Sequence, residues 1–122
     1  MLAGKRSAKV GDLIFRGIAE ILAQKVKDPR VKGVTLTGIN LSNDLKHAMV
    51  YFSVMGNEDH VIRAQYGLDS AKGYIKREIG ARVKLRYVPD IIFEHDPSLE
   101  MGDKMEKLFQ EIKAKEQEED PN

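Results

Sequence analysis

Six cations, Lys72, Lys76, Arg77, Arg82, Lys84 and Arg86, fall within fifteen residues of this 122-residue chain, and Gly73 and Gly80 sit among them. Lysine and arginine at this density bind phosphate, giving salt-dependent affinity that does not read a base sequence. Leu68, Ala71, Ile75 and Ile79 recur at spacings of three and four, which predicts a helix with one buried face. Gly73, Lys76, Arg77, Gly80 and Lys84 follow the same spacing on the opposite face. An interior glycine costs about 1 kcal/mol relative to alanine, so two of them point to a use other than helix stability. Gly73 is expected to loosen or kink the helix and to let a phosphate backbone approach. The same pattern also reads as a solvated lysine-rich face whose glycines cap frayed turns. Four Tyr, four Phe and no Trp make few stacking platforms, which favours folded RNA over an aromatic-lined single-strand reader.

Acid–base and metal chemistry find little support. His47, His60 and His95 are the only histidines, and no two share an i, i+4 spacing on a helix. His95-Asp96 could pair a base with an orienting carboxylate, but neighbours in a strand point to opposite faces, so a structural histidine is expected. No P-loop, G-x-G-x-x-G after a strand, H-E-x-x-H or G-x-S-x-G occurs. Cysteine is absent, which excludes disulfides and thiolate metal sites. No cofactor, metal or enzymatic activity is expected.

The net charge of +1 conceals a division. Residues 1–89 hold sixteen Lys and Arg against eight Asp and Glu, whereas residues 90–122 hold four against eleven. The basic body would attract a polyanion; the acidic end would solubilise the chain or shield that body. With no apolar run long enough to span a bilayer and no signal-peptide pattern, a cytoplasmic protein of one domain is expected.

The elements that must position the cations follow from the hydrophobic period. Ile14, Ile18, Ile21, Leu22 and Val26 predict a first helix at about 7–27, with Ser7 as its N-cap and Asp28-Pro29 as its stop. From Gly33 the period becomes two, and its phase slips by one residue at Gly38, the sign of a β-bulge. Ser42-Asn43-Asp44 is a turn cluster, so 33–42 and 46–55 form an antiparallel hairpin. Val61, Ala64, Leu68, Ala71, Ile75 and Ile79 keep one helical phase across Gly67 and Gly73, as one interrupted helix or two meeting at a kink would. Leu85, Tyr87, Ile91, Phe93 and His95 share one parity and predict a third strand, at an edge or bulged at Pro89. The expected fold is an α+β sandwich, α-β-β-α-(kink)-α-β, with a three-stranded sheet against helices. An RNA-binding domain is expected at 1–97, a C-terminal amphipathic helix at 98–115 and a disordered acidic tail at 116–122.

Five segments, in order, resemble the ribosome-binding factor A family, bacterial small-subunit assembly factors with a type II KH-like fold. They are Lys27-Asp28-Pro29-Arg30-Val31; Leu41-Ser42-Asn43-Asp44 with Ala48 to Ser53; Gly67-Leu68 with Ala71 to Glu78; Leu85 to Pro89; and Phe93 to Ser98. The similarity covers about residues 7–105. Ala71-Lys72-Gly73 matches the family's Ala-x-Gly interruption, which stands where other KH domains carry a G-x-x-G nucleic-acid loop.

This resemblance implies a non-enzymatic factor that binds free 30S subunits and 16S rRNA near the 5′-terminal helix and the 3′-end region. It would assist late maturation and 16S rRNA processing alongside other assembly factors, as a monomer, and matter most in the cold. The RNA-binding set is Lys72, Gly73, Lys76, Arg77, Gly80, Arg82, Lys84 and Arg86, with Arg30 added from the segment after the first helix. The alternative is a protein–protein module in RNA metabolism, using an exposed hairpin face at Met49 and Tyr51 or the acidic tail.

Overall fold

In a computed structural model of the chain, residues 2–97 and 110–114 are described. Helix α1 (Leu2–Gln24) is followed by a 3-10 turn at Pro29–Val31, strands β1 (Val34–Leu41) and β2 (His47–Val54), helix α2 (Glu58–Arg82) and strand β3 (Asp90–His95). The sheet runs in the order β1-β2-β3, antiparallel between β1 and β2 and parallel between β2 and β3. Parallel pairing requires a crossover, and α2 supplies it.

The apolar stripes meet in one core. Ile14, Ile18 and Ile21 of α1 and Ala64, Leu68, Ile75 and Ile79 of α2 pack on Ala48, Val50 and Phe52 of β2 and on Ile91 and Phe93 of β3, all buried. The β1–β2 register shifts between Leu36 and Gly38, where the phase slip of the sequence predicts the bulge. Asn57 caps α2 by accepting from the His60 backbone N–H at 3.2 Å, and the His60 ring returns the contact to the Asn57 N–H.

Three local expectations change. Ser7 is not a cap. Helix α1 begins at Leu2, and Ser7 is buried inside it, its Oγ donating to the Leu41 carbonyl at 2.9 Å. The joint expected at Ala71-Lys72-Gly73 does not break the helix either: α2 is one α-helix through all 25 residues. Leu68, Ile75 and Ile79 anchor it to the core on both sides of Gly73, and such burial outweighs a glycine penalty of about 1 kcal/mol. The third strand starts only at Asp90, because buried Pro89 has no N–H for the ladder. The helix expected at 98–115 and the tail at 116–122 lie outside the described residues except for 110–114, which are helical.

Candidate nucleic-acid interface

The outer side of α2 and the segment 83–89 after it carry most of the cations singled out in the sequence. A methyl group added at Gly80 would lie 3.1 Å from Val88 Cγ2, so this segment turns back beside the last turns of α2. Arg77 stands three residues before Gly80, on the same helical face. The backbone leaves α2 through a bond from the Val83 N–H to the Ile79 carbonyl at 2.8 Å, and it enters β3 with Asp90 N–H bonded to the Lys46 carbonyl at 2.8 Å. A connection held at both ends therefore sets Lys84, Arg86 and Tyr87 outward.

The cations divide by partner. Lys76 Nζ donates to Asp90 Oδ1 at 2.7 Å, Lys72 Nζ lies 3.2 Å from Asp69 Oδ1, and Arg82 donates to Glu20 at 2.8 Å. Arg30 holds Asp28 by two nitrogens, the shorter contact being 2.6 Å. That clasp draws the Asp28 carboxyl below its ordinary range and raises Arg30. The hydrogen bond and charge of Lys76 likewise hold Asp90 low. Arg77 and Lys84 are exposed and have no ion-pair partner among the described residues. The Arg86 guanidinium lies over the Tyr87 ring, 5.5 Å from its centroid.

The glycines divide too. A methyl added at Gly73 would meet nothing within 4 Å, so the helix backbone is open there to close approach. Gly80 instead receives Val88, and Gly67 receives the 3-10 turn: its methyl would come within 2.8 Å of Val31 Cγ1 and 2.9 Å of Arg30 Cβ.

Tyr87 is the residue that the sequence pattern misassigns. Its parity matches Leu85 and Ile91, which suggests an inward position, but it precedes the strand and is 71% exposed. Pro89 was the available signal, since strand alternation does not carry across a residue that ends the ladder. On the hairpin, Met49 and Tyr51 are half-buried, so that face is less open than expected. His95 packs edge-on against Phe52 with centroids 5.6 Å apart; its buried Nε2 has no hydrogen bond among the described residues. The Asp96 carboxylate accepts from the Thr37 hydroxyl at 2.8 Å. No group of three His, Asp or Glu among the described residues is arranged to hold a metal, and no described helix is long and apolar enough to cross a membrane.

A three-stranded mixed sheet backed by two helices, one turning unpaired cations outward, defines an α+β domain of the type II KH-like class. The profile described as Ribosome-binding factor A matches residues 6–109, and the chain belongs to that family. It is 44% identical over 110 residues to a ribosome-binding factor A of Citrifermentans bemidjiense, covering 90% of this chain and 92% of the relative. The crystal structure of ribosome-binding factor A from Thermus thermophilus superposes with a TM-score of 0.65 at 26% identity, over 73% of this chain and 93% of that one. Coordinates of the Thermus thermophilus factor fitted into a cryo-electron-microscopy map of its 30S complex match with a TM-score of 0.57 at 26% identity, over 75% of this chain and 92% of that one.

Proposed function

We propose that this protein is a non-enzymatic assembly factor that binds free small ribosomal subunits through the outer face of α2 and the segment after it. The observation that carries the reading is that Arg77, Lys84 and Arg86, of the cations gathered on α2 and the segment after it, are exposed without a described carboxylate partner, beside a helix backbone left open at Gly73. Phosphates of a folded RNA fit such a face, because charge and close approach serve them without a base-reading groove. Family membership, and a Thermus thermophilus relative fitted into a map of its 30S complex, support the small subunit as the target. The RNA is 16S rRNA, near its 5′-terminal helix and 3′-end region, and residues 1–97 carry the contact. Binding assists late maturation and 16S rRNA processing in the cytoplasm and keeps the immature particle out of translation, most importantly in the cold. The protein acts as a monomer alongside other assembly factors, without a cofactor.

Lys72, Lys76, Arg82 and Arg30 each already hold a carboxylate that offsets their charge, so Arg77, Lys84 and Arg86 contribute most to the contact. The test is sedimentation of the full chain with purified small subunits and, separately, with complete ribosomes. Co-migration with free small subunits, lost in an Arg77→Glu, Lys84→Glu variant, supports the proposal. Wild-type protein remaining at the top of the gradient overturns it. Capture that survives nuclease digestion of the rRNA would assign the contact to protein instead.

A further inference from the structure

Tyr87 is a large aromatic residue in an outward position, 71% exposed, with no hydrogen bond among the described residues. Exposure alone would mean little, since single apolar side chains at a surface are ordinary. What sets Tyr87 apart is its surroundings. The Arg86 guanidinium lies 5.5 Å from the ring centroid, within the range of a cation–π contact. A cation over the ring orients it and leaves the remainder of its surface to solvent. The backbone beneath is fixed as well. Val88 rests against Gly80, Pro89 is buried, and Asp90 is held by both Lys76 and the Lys46 carbonyl. Exposed cations flank this segment, Lys84 three residues earlier in the chain and Arg77 three residues before Gly80, against which Val88 rests.

A positioned ring beside phosphate-binding cations matches the requirements for stacking a nucleobase, whose π-face is available only when it is unpaired. We infer that Tyr87, backed by Arg86, is a stacking platform for one unpaired base of the bound RNA. This rests on the proposed function and sharpens it: the ligand is a folded RNA carrying at least one extruded or terminal nucleotide next to the duplex whose phosphates meet Arg77 and Lys84. One platform differs from the aromatic-lined groove that the composition disfavours. It accepts any base, and the duplex beside it sets the location.

The experiment is fluorescence anisotropy with the full chain and two labelled hairpins of equal length, one fully paired and one with a single unpaired purine at its 3′ end. Wild type, Tyr87→Phe and Tyr87→Ala are compared, with circular dichroism to verify that each is folded. Loss of a base–aromatic stack lowers affinity roughly five-fold to hundred-fold. Tyr87→Ala should show this loss on the hairpin with the unpaired base and little change on the paired one. Tyr87→Phe, which keeps the ring, should bind like wild type. The slope of affinity against salt should be unchanged in both variants, because no charge is removed. Equal binding of wild type and Tyr87→Ala to the unpaired-base hairpin overturns the platform and leaves the proposed function standing. If wild type binds neither hairpin nor small subunits, the proposed function fails, and the platform with it.

Discussion

Lys76 Nζ and Asp90 Oδ1 stand 2.7 Å apart, joining the second half of α2 to the first residue of β3. A lysine that the sequence groups with outward cations thus clips helix to strand, and in doing so it steadies the connection that carries Lys84, Arg86 and Tyr87. The pair is at the surface, so its contribution to stability is modest.

Its pH dependence has a definite sign. The hydrogen bond and charge of Lys76 lower the Asp90 carboxyl below its ordinary value, as Arg30 lowers Asp28 and the Ser42 hydroxyl lowers Asp44. A carboxyl with a lower pKa in the folded state adds stability that is complete above the unfolded-state value, near 4 for aspartate, and is lost as pH falls through the folded-state value. Melting temperature should therefore hold steady through the neutral range and decline below about pH 4. Asp90→Asn should lower the neutral-pH melting temperature slightly and leave the low-pH value unchanged, so that the acid decline is shortened by the same amount. An undiminished acid decline in the variant would show that Asp90 does not contribute.

Gly67 and Gly73 should respond oppositely to alanine. At Gly73 the added methyl is free of contacts, and replacing a helix-interior glycine should stabilise by up to about 1 kcal/mol. At Gly67 the methyl collides with Val31 and the Arg30 Cβ, and overpacking should outweigh the propensity gain, for a net loss of about 1 to 2 kcal/mol. Urea unfolding of the two variants decides this. If Gly73 serves close approach of a phosphate, the more stable Gly73→Ala variant should also bind small subunits more weakly.

Phe52 is fully buried between the helices and the sheet and meets the His95 ring. Phe52→Ala should lose about 3 to 5 kcal/mol, the range for emptying an aromatic core site. A loss under about 0.5 kcal/mol, within the range of ordinary surface substitutions, would mean that the site collapses around the gap.

The hairpin, its bulge and both helices were legible because each has a local cause: alternation that slips at Gly38, a turn cluster at Ser42-Asn43-Asp44, and one apolar phase from Val61 to Ile79. The cationic cluster was legible as a list of residues. Its division into clasped and unclasped members was not, since Arg82 finds Glu20 62 residues away and Lys76 finds Asp90 14 residues away. Only Lys72–Asp69 follows from helical spacing. Ser7 misleads for the same reason: a serine before an apolar stripe signals a cap, while its partner, the Leu41 carbonyl, is 34 residues distant. At Tyr87 the parity shared with Leu85 and Ile91 spans Pro89, and there the irregularity expected at an edge or bulge is instead the start of the strand at Asp90.

The central claim is that Arg77 and Lys84 meet RNA phosphates directly. The most direct measurement is small-subunit affinity as a function of salt for wild type and an Arg77→Gln, Lys84→Gln variant. Each phosphate contact adds about 0.7 to 0.9 to the slope of log affinity against log salt. The account predicts weaker binding by the variant, with the slope shallower by about 1.4 to 1.8 for the two contacts. A folded variant with wild-type affinity and an unchanged slope would contradict it.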